Sequence, residues 1–267
     1  MPDETPVLLE ETQGGVRLLR LNRPERKNAL TDELGWGIVQ AVERAAADDD
    51  VRVIGLTGQG DAFCSGADLA KSEPWSPLSE AEATDDDLGW ISRLPLVLRV
   101  LCDKPVVAGV NGIAIGAGLS LALCADIRMA SSAARFHPGY ARAGTSPDGG
   151  LSWTLPQLLG HEGAMRFLLE IEMHDATRAL EIGLVGEVVP ADDFEAAFVG
   201  YCERLASVAP IAARQTKRLV TRTGLPADLE AHLRDELRYV HRGLSSEDGR
   251  EAVAAIMEKR EPKFSGR

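Results

Sequence analysis

Apolar and polar positions change period several times along the chain. Residues 6–12 and 16–21 alternate, with Gly14-Gly15 between them, which predicts a hairpin. LNRPERKNAL (21–30) is polar and basic around one proline and reads as a loop. Thr31 then suits an N-cap, with Asp32 and Glu33 favouring the positive end of a helix. Leu34, Ile38, Ala41, Val42 and Ala45 follow on one helical face, and the acidic run Asp48–Asp50 ends it. VRVIGLTG (51–58) is a buried strand, so strand, helix and strand predict a βαβ unit with a parallel pair.

Next, GQGDAFCSGADL (58–69) predicts a strand end, a small-residue turn at Ser65-Gly66-Ala67 and a helix start at Asp68. Residues 71–87 are polar, acidic and proline-containing and read as a mobile loop. Helical spacing returns over 88–102, with Leu88, Ile91, Leu94, Leu98 and Leu101 apolar. In VVAGVNGIAIGAGLS (106–120) a buried strand runs into a glycine-rich turn, and LSLALC continues as a helix. DIRMA (126–130) is a short strand and ARF (134–136) begins another. Residues 137–160 are rich in Gly and Pro, 161–170 form an amphipathic helix, and Asp175 caps a helix that stops at Gly183 before the strand LVGEVV (184–189). From about residue 193 the chain shows four helical patterns and no strand: 193–207, 210–222, 226–243 and 246–259. The expected division is a core over 1–192 and a helical region over 193–267 that packs on something else, commonly a neighbouring subunit.

The 267 residues carry a net charge of −12, which argues against a nucleic-acid partner because that would need a basic face. Cys64, Cys102, Cys124 and Cys202 form no C-x-x-C pair, so zinc and redox chemistry are not indicated. MPDETPVLLEE has no basic region followed by an apolar core, and no run of 18 apolar residues occurs, so a cytoplasmic protein without a membrane span is expected.

Two places could carry chemistry through the backbone. The first N–H groups of a helix have no internal partner and favour negative charge on oxygen. Gly112, Gly116 and Gly118 allow a ligand close to such a turn, although the same glycines suit plain helix–sheet packing. The dinucleotide fingerprint fails, since Leu121 stands where its third glycine would be. The second turn lies at Ala67. Together the N–H groups of Ala67 and Ala117 have what a two-donor oxyanion hole needs. Arg23, Arg26 and Lys27 form either a solvated loop or a phosphate contact. Asp148, in Pro147-Asp148-Gly149-Gly150, suits a turn or cap, and His137, Tyr140 and Trp153 suit structural positions.

LNRPERKNAL, AFCSGADL, KPVVAGVNGIAIGAGLSLALCADIRMA, GTSPDGG, ALEIGLVGEVVP and EKREPKFSGR, in that order, resemble the enoyl-CoA hydratase/isomerase (crotonase) superfamily over about residues 15–267. The resemblance implies an α/β fold of repeated ββα units in a spiral of sheets. It implies a C-terminal helical trimerisation region, a homotrimer or dimer of trimers, and acyl-CoA thioesters as substrates, coenzyme A being part of the substrate and no other cofactor or metal being expected. It gives the oxyanion N–H groups to Ala67 and Ala117. Ala62 and the backbone of Gly66, Asp68 and Leu69 would line the adenine and pantetheine channel, with Gly116 also against the substrate. Arg26 or Lys27 would lie near CoA phosphates, and Lys263 and Phe264 match a tail that reaches a neighbour's CoA site. The two glutamates of the hydratases fall on Ser120 and Tyr140, neither an acid. Tyr140 would instead line the acyl pocket. Asp148 resembles the acid of the Δ3,Δ2-enoyl-CoA isomerases and of the phenylacetate-pathway ring-opening isomerase, the nearest likeness. The expected activity is a double-bond shift with Asp148 as base. A hydratase, an acyl-CoA hydrolase or dehalogenase, and a non-catalytic acyl-CoA binder are the alternatives.

Overall fold

Gly14 and Gly15 both take positive φ (59° and 82°), the backbone a two-residue hairpin turn requires. They join β1 (Leu8–Gln13) and β2 (Val16–Leu21) with Gln13 opposite Val16. The computed structural model describes residues 6–69, 88–224 and 229–263. Helix α1 (Asp32–Ala47) starts as expected: the Thr31 side chain accepts the Leu34 N–H, and Leu34, Ile38, Ala41, Val42 and Ala45 face the core. It returns the chain to β3 (Val53–Gly58), fully buried and parallel to β2.

From β3 onward the chain alternates between two sheets. β3, β5 (Val106–Val110), β7 (Ile127–Ser131) and β10 (Glu187–Val189) extend the first sheet in the order β1-β2-β3-β5-β7-β10, parallel beyond the hairpin. β4 (Ala62–Cys64), β6 (Ile113–Ile115), β8 (Arg135–His137) and β9 (His174–Asp175) form the second, in that order. Each of the pairs β3/β4, β5/β6 and β7/β8 thus gives one strand to each sheet, which is the expected spiral of β-rich repeats. The main core lies between the sheets and against α1, α2 (Gly89–Pro95) and α3 (Ala117–Cys124).

Two elements depart from the sequence pattern. After α2, Pro95 has no N–H to continue the helix, and Leu96–Leu101 forms a π-helical turn. The wider turn rotates the apolar face, so Leu101, expected inside, is exposed. Helix α4 (Leu151–Glu170) has two helical pieces divided at Gly160 (φ 71°, ψ 171°): the second is the expected helix over 161–170, and the first, from Leu151, lies in the stretch read as rich in Gly and Pro. Asp175 caps α5 (Ala176–Glu181) as expected, accepting the Arg178 N–H at 2.8 Å.

The strand-free tail packs back on its own chain. α6 (Phe194–Ala206) covers the outer face of the first sheet, with Phe194, Phe198, Cys202 and Ala206 against Val16, Val53, Val107 and Met129. α7 (Pro210–Gly224) is tied on by Lys217, whose Nζ donates to Leu98 O (2.7 Å) and Lys104 O (2.9 Å) and pairs with Asp126 (2.8 Å). α8 (Leu229–Ser245) lays Leu233 against Leu88 and Trp153, and α9 (Glu247–Glu258) follows. The loop expected over 71–87 lies outside the described residues.

Phe198 is fully buried between α6 and the first sheet. Phe198→Ala is expected to cost about 3–5 kcal/mol, read as a lower urea midpoint at unchanged slope.

Candidate active site

β4 and β6 are parallel neighbours, so the turns that leave them lie side by side. In the first turn, Leu30 N–H donates to Gly66 O (2.8 Å) and Asp68 N–H to Leu30 O (2.9 Å). That parallel bridge uses the groups flanking Ala67, so the N–H of Ala67 itself points away from Leu30. In the second turn, Gly116 N–H donates to His137 O (3.1 Å) and α3 starts at Ala117. Gly66 has φ +96°, and a Cβ on it would stand 2.9 Å from Ile115 O and 3.7 Å from Ala117 N. A Cβ on Gly118 would meet Cys64 O at 2.3 Å. The two turns therefore touch backbone to backbone. Among the described residues, neither the Ala67 nor the Ala117 N–H has a backbone acceptor.

Asp148 closes the other side of α3. Its Oδ1 accepts the Tyr140 hydroxyl at 2.5 Å, and the Tyr140 oxygen lies 2.8 Å from Ser120 Oγ, which also donates to Asp148 O at 3.0 Å. Tyr140 and Ser120 are buried, and Asp148 keeps partial exposure. Removal from water pushes the Asp148 carboxyl up to about 7; the Tyr140 hydrogen bond opposes that shift and the negative charge of Glu236 reinforces it. Burial, the adjacent Asp148 charge and the bond to Asp148 together raise the Tyr140 hydroxyl well above the ordinary tyrosine range, so it stays a donor.

The other predicted residues divide. Gly66 and Gly116 line the contact between the turns, and Leu69 is exposed beside it. The Asp68 carboxylate is buried and bonds Arg23 (2.8 Å) and Arg26 (3.1 Å). Burial alone would raise it, but the hydrogen bonds from Arg23 and Arg26 outweigh that and hold it below the usual carboxylate range. Arg26 thereby braces the Ala67 turn, and Lys27 pairs at the surface with Asp61 at 2.6 Å. Ala62 is enclosed, and its carbonyl is taken by Asn28 (2.8 Å) and Asn111 (3.2 Å). Tyr140 is buried and its hydroxyl is directed at the acid. Lys263 is exposed and its N–H donates to Glu251 at 2.8 Å; Phe264 lies outside the described residues.

Glu236 was not singled out from the sequence. This buried carboxylate on α8 accepts the N–H groups of Gly150 (2.8 Å) and Ser152 (3.2 Å) and the Ser152 hydroxyl, so it caps α4 two residues beyond Asp148. The signal was present: Glu236 interrupts the apolar stripe Leu233, Leu237, Val240, and an acid on the inner face of a helix needs buried donors.

Among the described residues no group of three His, Cys, Asp or Glu is arranged to hold a metal, and no helix is long and apolar enough to cross a membrane. A separate open cleft of about 470 Å³ lies between Phe167, Met173 and Arg178 and contains none of the residues above.

The family model described as enoyl-CoA hydratase/isomerase matches residues 11–267. A Rhodobacter capsulatus protein named "Probable enoyl-CoA hydratase" is 37% identical, covering 96% of this chain and 97% of its own. The 1,2-epoxyphenylacetyl-CoA isomerase of Escherichia coli is 33% identical, over 97% and 98%. A crystal structure of an enoyl-CoA hydratase/isomerase from Pseudoalteromonas atlantica superposes with a TM-score of 0.86 at 33% identity, over 97% of this chain and 100% of that one.

The raised proton affinity of Asp148 has a sign for stability. Its carboxyl titrates near 7 in the fold against an ordinary value of 3.8, so between those pH values the unfolded chain binds fewer protons. This residue's contribution to stability therefore falls as pH rises from about 4 to 7 and is level above. Asp148→Asn should raise Tm over the wild type by a few degrees at pH 8 and leave it nearly unchanged at pH 4, as checked by calorimetry.

Proposed function

This chain belongs to the enoyl-CoA hydratase/isomerase family, and we propose that within it the protein is an acyl-CoA isomerase that shifts a double bond with Asp148 as its single base. The observation that carries this reading is the surroundings of Asp148. A carboxyl of raised proton affinity stands against α3, while the residues matching the two hydratase glutamates are Ser120 and Tyr140.

The thioester carbonyl would accept the Ala67 and Ala117 N–H groups. A proton on the carbon beside a thioester is weakly acidic, and two backbone donors aimed at the oxygen stabilise the enolate; one such donor is typically worth about 10²–10³ in rate. Asp148 then takes a proton from C2 or C4 and returns it at the other carbon. The exchange needs one group of proton affinity near neutrality, because the same group must accept and give back. Tyr140 holds one carboxylate oxygen, which leaves Oδ2 for the transfer. Hydration would also require activating a water and delivering a proton to carbon, work for which Ser120 and Tyr140 supply no second carboxylate.

The test is mass spectrometry with 2-enoyl- and 3-enoyl-CoA. Interconversion without change of mass, with solvent deuterium entering the acyl chain, is expected. Gain of the mass of water indicates a hydratase, release of free CoA a hydrolase, and tight binding with no product a non-catalytic binder; each overturns the reading. Asp148→Asn should keep acyl-CoA binding and lose about 10²–10⁴-fold in kcat. Because the base acts ionised, kcat/KM of the wild type should rise with pH through a midpoint near 7.

A further inference from the structure

Asp148 is followed at once by the start of α4, where backbone N–H groups and the positive end of the helix stand ready for a carboxylate. Left free, those donors would be competitors for Asp148 and would weaken it as a base. They are already taken. Glu236 reaches in from α8, 86 residues further along the chain, and occupies the Gly150 and Ser152 N–H groups with its two carboxylate oxygens. The Ser152 hydroxyl adds a third donor and also lies 2.7 Å from His232 Nε2. His232 stands 3.6 Å from the Glu236 carboxylate on the same helix, and Leu233, fully buried, holds that helix against Leu88 and Trp153.

We propose that Glu236 is a positioning residue for the isomerase reaction: it pins the Gly149–Ser152 turn, diverts the α4 N–H donors from Asp148, and keeps Asp148 a base. This rests on the reading of Asp148 as the proton-transferring group. Among the described residues, Tyr140 and Ser120 bond Asp148 directly, Cys124 donates to the next residue's carbonyl, Gly149 O, at 3.5 Å, and Glu236, with His232 beside it, approaches from α8. Of these the Glu236 carboxylate supplies negative charge, and both its charge and its capture of donors act in one direction. The C-terminal helices thus take part in the chemistry of a site formed by residues before 150.

The experiment is the pH dependence of kcat/KM and kcat for wild type, Glu236→Gln, Ser152→Ala and Asp148→Asn, with the fold of each followed by circular dichroism. Glu236→Gln should move the acidic limb down by roughly half a pH unit or more and lower the plateau kcat several-fold, with KM little changed. Ser152→Ala removes one donor from Glu236 and leaves its charge less neutralised, so its limb should move up. A fall in kcat with an unmoved limb in Glu236→Gln means the residue only braces the fold and overturns the inference. If Glu236→Gln does not fold, an unmoved limb in Ser152→Ala overturns it. Wild-type turnover by Asp148→Asn overturns the base assignment itself, and the inference with it, whereas loss of turnover there with unmoved limbs elsewhere overturns the inference alone.

Discussion

β4 and β6 run parallel and adjacent in the smaller sheet, and the turns that leave them press backbone against backbone. A Cβ at Gly66 would stand 2.9 Å from Ile115 O and one at Gly118 only 2.3 Å from Cys64 O. Hydrogen is the only substituent that fits either place, and Gly66 also needs its positive φ. The contact is held from outside by the 21–30 loop. Leu30 bridges to Ala67, Ser65 N–H donates to Lys27 O at 3.0 Å, and Arg23 closes a buried ion pair with Asp68 and donates to Ala29 O. Replacing Asp68 would strand the buried Arg23 guanidinium, which costs more than the pair contributes. The Ala67 N–H depends on all of these: among the described residues it has no backbone acceptor, because its neighbours carry the bridge.

Elements whose cause is local could be read from the chain. The Gly14-Gly15 hairpin, the Thr31 cap, the apolar face of α1 and the two small-residue turns each follow from a few adjacent residues. The ordered motifs added the fold, because their sequence of strands matches the alternation between two sheets. What the chain does not show locally is non-local. The acids that pair with Arg26 and Lys27, Asp68 and Asp61, lie 42 and 34 positions further on. Leu101 fitted a helical stripe until Pro95 forced a π-helical turn. Helix α4 was hidden by Gly and Pro up to residue 160, although its first turn is built from that stretch and capped by a residue of α8.

Three carboxylates near the site show how one chemical group takes different states from its surroundings. Asp68 is buried between two guanidinium groups and held ionised. Glu236 is buried too, but against N–H and O–H donors at a helix start, which a carboxylate accepts without a cation. Asp148 has one hydroxyl donor for its carboxylate and no cation among its described partners, so desolvation prevails and its proton affinity rises. The acid left least satisfied is the one suited to exchange protons near neutral pH.

The same crowding explains why the chain has hydroxyls where the hydratases of the family carry glutamates. Ser120 Oγ lies 3.0 Å from the Asp148 carbonyl oxygen and the Tyr140 oxygen 2.5 Å from its carboxylate. A carboxylate at either position would stand against Asp148 with Glu236 already close behind, and like charges in a partly buried pocket cannot all stay ionised. An acid at 120 or 140 would therefore raise the proton affinity of Asp148 further, as the charge of Glu236 already does. Serine and tyrosine keep the hydrogen-bond frame without the charge: each can donate, and the tyrosine does so to the oxygen of Asp148 that must not wander. On our reading, the replacement of the two glutamates is the condition under which a single aspartate can be both buried enough to hold a proton and free enough to release it.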